Sequence, residues 1–148
     1  MPGAHAAGRV STVLANVTCV AIGGQALLIE GAPCSGKSTL ALELIDRGAV
    51  LVGDDGVTLE PRENRLWASP PPNIAGLLEV RNIGLISLPV CSAPVALAIL
   101  LDPQAPRAVD EVDRVERAGH SLPLIRLYPL ARGLCLRAEL ALKVHGLG

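Results

Sequence analysis

Apolar positions along this chain come first in short runs and then at a helical spacing. Residues 12–22 (TVLANVTCVAI) are apolar and β-branched and end at Gly23-Gly24. A second apolar run, QALLIE (25–30), follows directly. The pattern predicts two strands joined by a Gly-Gly turn, the second feeding a glycine-rich loop. From Lys37 the period lengthens. Leu40, Ala41, Leu44 and Ile45 form a helical stripe, with Glu43 and Asp46 on the other side. Gly48 is the expected stop, with Arg47 complementing the helix dipole.

The short run AVLV (49–52) predicts a strand that ends at Asp54-Asp55. VTLE and RLWA around PREN (61–64) predict a hairpin within 57–68. Pro70-Pro71-Pro72 can be neither helix interior nor central strand, so it predicts a rigid connector. IAGLLEV, RNIGLISL and PVALAILL (94–101) are strongly apolar. Residues 102–120 carry the densest charge and predict a surface loop with a short helix. LPLIRLYPL (122–130) predicts a last strand, and LCLRAELALKV (134–144) an amphipathic terminal helix. No internal repeat, low-complexity tract or second domain is visible. The expectation is a single domain over 1–148, with residues 1–10 flexible.

Composition narrows the class. Of 148 residues, half are hydrophobic, but Trp67 and Tyr128 are the only aromatics. Such a core is built from Leu, Val, Ile and Ala, which suits buried strands covered by helices. The formal net charge of −1 and the lack of a dense Lys/Arg cluster argue against nucleic-acid binding. No apolar run approaches the roughly 18–20 residues that span a bilayer. The first ten residues lack signal-peptide character, so the expected location is the cytoplasm, without membrane contact. Cys19, Cys34, Cys91 and Cys135 form no C-x-x-C pair, and four reduced, mostly buried thiols are expected. His5, His120 and His145 show no ligand spacing.

The chemistry lies in GAPCSGKS, Gly31 to Ser38, which fits G-x-x-x-x-G-K-[ST]. In a strand–loop–helix context, backbone N–H groups and the helix dipole form an anion cradle. Lys37 would reach the β- and γ-phosphates of ATP, and the Ser38 hydroxyl would ligate Mg²⁺. Four fixed positions match by chance in about 1% of chains this long, given average glycine usage. The flanking strand and helix lower that further. The competing reading is a strand–turn–helix that holds no ligand.

Beyond the loop, the order of motifs resembles the catalytic domain of HPr kinase/phosphorylase, a bacterial enzyme acting on a serine of the phosphocarrier HPr. That family's pattern "RG-x-x-L-x-x-DD" is met by Arg47-Gly48, Leu51 and Asp54-Asp55. A Pro-Pro turn is met by Pro71-Pro72, and "LLE-[IV]-RG-x-G-[IL]-[IL]" by Leu77 through Ile86. A "DR" match is Asp113-Arg114. The resemblance covers about residues 13–130 and lacks the family's amino-terminal domain. It implies an α/β fold like that of phosphoenolpyruvate carboxykinase, with a phosphate loop, a mixed sheet and few helices. It also implies an ATP- and Mg²⁺-dependent serine kinase, an HPr-like partner, and a homo-oligomer, often a hexamer.

Residue by residue, the resemblance implies that Gly31, Ala32, Pro33, Cys34, Ser35, Gly36, Lys37, Ser38 and Thr39 hold nucleotide. Lys37 would grip the transferred phosphate, and Ser38 and Glu79 would ligate metal. Asp55, helped by Asp54, would accept the serine proton, and Arg114 would steady charge at the phosphate. Two adjacent carboxylates on a strand point to opposite faces, so only one can face the loop.

The chain also departs from the pattern. Pro33 and Cys34 replace a Ser and a Gly, and if that Gly carries φ > 0 the substitution costs of order 1 kcal/mol. Asn16 stands where the family carries His, Thr39 where longer members carry Glu, and Asn82 where they carry Gly. Losing the His, which could shuttle protons, predicts weak or absent phosphorylase activity. The Cys34 thiol, three residues from Lys37, is a candidate redox brake. Two further readings stand beside the kinase: a non-catalytic nucleotide sensor and a kinase of a small metabolite.

Overall fold

The computed structural model describes residues 10–73 and 75–148. The expected flexible lead therefore falls almost wholly outside the described residues, as does His5. Eleven strands and two helices are described. In chain order the strands are β1 Thr12–Ala15, β2 Thr18–Ile22, β3 Gln25–Gly31, β4 Val50–Gly53, β5 Gly56–Arg62 and β6 Arg65–Ser69. They continue with β7 Leu77–Val80, β8 Gly84–Ser87, β9 Ala93–Leu101, β10 Asp113–Arg117 and β11 His120–Leu127. The helices are α1 Lys37–Asp46 and α2 Leu134–His145.

Nine strands form one mixed sheet, ordered β1-β5-β6-β9-β3-β2-β4, with β11 pairing β9 and β10 pairing β11. β3, β9 and β11 run parallel, with Gly31 level with Leu101 and Leu101 level with Leu127. Their carboxyl ends therefore emerge together, the end of a parallel sheet where ligands bind. β7 and β8 form a separate two-stranded sheet.

The period of two along β3 splits the core between the faces of this sheet. Leu27 and Ile29 pack with Leu40, Leu44, Ala138 and Leu142 of the two helices. Ala26 and Leu28 pack with Val57, Leu59, Leu66 and Leu122 on the other face. All four residues of β3 from Ala26 to Ile29 are fully buried, which fits a strand covered on both sides. The α1 stripe read from the sequence meets its partners, since Leu40, Ala41 and Leu44 are buried. Arg47 caps the helix and Gly48 follows at φ 112°, a conformation glycine adopts without penalty.

Three expectations change. The single strand read over 12–22 is two strands. Asn16 sits at φ 64° and its N–H donates to the Asp55 carbonyl, so the chain leaves β5 and moves to β3 and β4. The hairpin turn is Glu63-Asn64, both at positive φ, with β5 and β6 running up to it. Residues 102–120 contain no short helix; β10 occupies 113–117. Its inward positions alternate, with Val115 and Arg117 half-buried, and Ala118-Gly119 at φ 48° and 79° turn it tightly into β11. Charge on the outward face conceals that alternation.

Burial explains the cysteines only in part. Cys19 is fully buried, Cys91 and Cys135 are half-buried, and Cys34 is exposed. Burial pushes the Cys19 and Cys91 thiols upward, which keeps both protonated. No helix among the described residues is long and apolar enough to cross a membrane.

Candidate active site

The phosphate loop begins where β3 ends and closes where α1 starts. Ser35 N–H donates to the Ala32 carbonyl at 3.1 Å, closing a turn with Pro33 and Cys34 at its centre. Cys34 takes φ 63°. This is the geometry in which proline suits the first central position and glycine the second. Pro33 therefore fits the turn it occupies, and the missing N–H is one the turn leaves unpaired. Cys34 bears the strain. Replacing Cys34 by Gly is expected to raise stability by a few tenths up to about 1 kcal/mol, the strain relieved less the chain entropy that glycine adds. Thermal unfolding checks this, and a lower midpoint in the variant contradicts it.

Gly36 caps α1 in the left-handed region at φ 101°, without a side-chain cap, and the first turn holds no acidic residue. The amino-terminal N–H groups of α1 thus stay free for an anion. The Lys37 ammonium donates to the Gly31 carbonyl at 2.7 Å and to the Ala32 carbonyl at 3.4 Å, so it lies folded over the loop. Ser35 Oγ is buried beneath the loop without a hydrogen-bond partner among the described residues. A Cβ at Gly31 would stand 2.7 Å from that hydroxyl, which would have to rotate away, and 3.3 Å from Leu101.

Asp54 is the carboxylate that reaches this loop. Its Oδ1 accepts from Ser38 Oγ at 2.7 Å and from Thr18 Oγ1 at 2.9 Å, and its Oδ2 lies 3.4 Å from the Glu79 N–H. Gly53 makes the approach possible. A Cβ at Gly53 would stand 2.1 Å from the Gly56 carbonyl oxygen and 3.1 Å from Pro71 Cδ, so only glycine lets β4 turn this sharply into β5. Asp55 follows at φ 58° and is exposed. Only one carboxylate of the pair touches the loop, and it is the first, the reverse of the order expected.

The remaining expected positions separate. Glu79 sits on β7 with its side chain exposed, and its backbone, not its carboxylate, approaches Asp54. Arg114 is exposed on β10, bound to the Ser121 hydroxyl at 3.0 Å and carbonyl at 3.3 Å, away from the loop contacts described above. Thr39 is exposed in the first turn of α1 and lines a cleft of about 500 Å³ beside the loop, with Cys34, Ser35, Gly36 and Glu43. Residues 129–135 form the opposite wall. Thr18 is the partner that sequence reading missed. It is a buried hydroxyl in an otherwise apolar strand, and that mismatch was the available signal.

A hydroxyl and a carboxylate 2.7 Å apart at the mouth of a phosphate loop are hard oxygen donors suited to magnesium. No cluster of three His, Cys, Asp or Glu occurs among the described residues. A magnesium site that draws its other ligands from water and substrate phosphates requires none.

The chain resembles known proteins both in sequence and in fold. The sequence model of the family described as "HPr Serine kinase C-terminal domain" matches residues 10–91. The chain belongs to this family. It is 47% identical over 66 residues to the HPr kinase/phosphorylase of Clostridium tetani, a match covering 45% of the chain and 22% of that relative. It is 36% identical over 118 residues to that of Streptococcus uberis, covering 70% of the chain and 38% of the relative. The chain thus spans between about a fifth and two fifths of these relatives. A solved structure described as the HPr(Ser) kinase/phosphatase from Coxiella burnetii superposes with a TM-score of 0.79 at 30% identity, covering 90% of each chain. The α/β phosphate-loop fold expected from the sequence is the fold observed.

Proposed function

We propose that this chain transfers the terminal phosphate of ATP to a serine of an HPr-like phosphocarrier. The observation that carries the proposal is the contact between Ser38 and Asp54 at the amino terminus of α1. Phosphoryl transfer asks mainly for positioning and charge neutralisation, with a carboxylate at the incoming hydroxyl. In this reading Lys37 exchanges the Gly31 carbonyl for phosphate oxygens. The loop N–H groups hold the β-phosphate, and the cleft walled by residues 129–135 takes the nucleoside. Ser38 and Asp54 would hold Mg²⁺, which supplies neutralisation of charge on the phosphates. In this reading Asp54 would also take the proton of the acceptor hydroxyl, and the exposed Asp55, next in the same turn, would meet the approaching protein. Glu79 and Arg114 serve docking or metal water only if a segment moves. The exposed stripe Leu136, Leu140 and Val144 on α2 suits the homo-oligomer expected of the family.

Asn16 stands level with the Asp54–Asp55 turn, bonded through its backbone to Asp55. Its amide donates and accepts but carries no titratable proton near neutrality. The reverse reaction, removal of the serine phosphate by inorganic phosphate, is therefore weak or absent in this reading.

The experiment is incubation with γ-labelled ATP, Mg²⁺ and a panel of acceptors. Label on the serine of an HPr-like protein is the expected result. Label on a small metabolite, or nucleotide binding without any transfer, would replace this reading by a metabolite kinase or a sensor.

A further inference from the structure

Arg114 and Arg117 lie on one short strand at an odd spacing, so they point to opposite faces. Arg114 faces solvent. Arg117 turns inward to Glu30, with Nε 2.9 Å from Oε2 and Nη2 2.6 Å from Oε1. Its Nη1 donates to the Glu116 carbonyl at 2.7 Å. The two side chains are 26% and 12% exposed. This is the least exposed ion pair among the described residues. The two-pronged contact with Glu30 pushes the Arg117 guanidinium upward, holding it charged.

Glu30 is the last residue before the phosphate loop. The next carbonyl, that of Gly31, receives Lys37. We propose that the Arg117–Glu30 pair is a positioning latch, fastening the turn of the β10–β11 hairpin to the strand that enters the loop. It holds the Gly31 peptide where Lys37 needs it. Arg117 is a positioning residue and not a catalytic one, because three of its nitrogens are already engaged within the protein. The latch also walls an opening of about 420 Å³ shared by Asn16, Gly31 and Arg117, on the Asp55 side of the loop. The tie joins residues 87 apart in sequence, so the hairpin and the loop are set as one unit. Being bidentate, it fixes orientation as well as distance.

The inference rests on the reading of Gly31–Ser38 as a phosphate loop, but its test does not need nucleotide. Arg117→Met and Glu30→Gln, singly and together, are compared with the wild-type chain by amide hydrogen exchange. Each single change is expected to speed exchange over residues 31–38 about tenfold, and the double change no further than either single one, as for two groups acting through one contact. The amides of β9 should keep their protection. Arg117→Lys, which keeps the charge but not the fork, should fall between wild type and Arg117→Met. Unchanged loop exchange in either single variant overturns the latch. So does a rise spread equally over β9, or a double effect equal to the sum of the singles. Affinity for Mg·ATP, measured on the same proteins, should fall with loop protection. If the wild-type chain binds no nucleotide, the proposed function fails while loop exchange still decides the latch.

Discussion

Replacing Lys37 by Ala should reduce phosphoryl transfer by roughly a thousandfold or more, in the range for removing a preorganised cation from a transferring phosphate. The ammonium lies against two loop carbonyls, 2.7 Å and 3.4 Å away, at the amino terminus of a helix whose own first turn holds no acidic residue. An incoming triphosphate meets a charge already at the loop, which has only to exchange these carbonyls for phosphate oxygens. The fold should be indifferent, since Lys37 is partly exposed and its contacts are to backbone of its own loop. Steady-state kinetics with a thermal melt of the same sample check this. A variant with near wild-type turnover would remove the loop from the reaction.

The second large effect separates the two aspartates. Asp54→Asn should cut transfer by roughly 10²–10⁴-fold, the range for a positioned acid–base group, whereas Asp55→Asn should cost far less. The amide still accepts from Thr18 and Ser38, so the turn between β4 and β5 should stay intact. What is lost is the negative charge toward metal and acceptor hydroxyl. Asp55 has no such contact and sits at φ 58°, a region that Asn tolerates at least as well as Asp. Equal losses in the two variants, or a larger loss in Asp55→Asn, would return the chemistry to the second aspartate.

The loop and its two flanking elements were legible in the sequence because their signals are local. A short apolar run, four fixed loop positions and a helical stripe all fall within residues 25–48, and the structure places β3 and α1 on either side of the loop. Which carboxylate of the Asp54–Asp55 pair touches the loop was not legible. Two identical neighbours offer no contrast in sequence, and what selects Asp54 is the close approach of Gly53 to Gly56 and Pro71. The strand β10 was hidden by its charge. Its inward row contains only Val115 as an apolar residue, the other inward side chain that matters being Arg117, which is buried by pairing. Such pairing across 87 residues has no sequence signature in a single chain. The resemblance to the family supplied Arg114 by motif, while the strand's parity directs Arg117, and not Arg114, toward the loop.

The destination of the terminal phosphate of ATP separates a protein kinase from a metabolite kinase or a sensor. With Mg²⁺ and an HPr-like carrier present, mass analysis of the carrier after incubation with the wild-type chain reads this directly. One phosphate on a serine, dependent on both metal and ATP, is the result predicted. An unmodified carrier beside a chain that is saturated with nucleotide would contradict it.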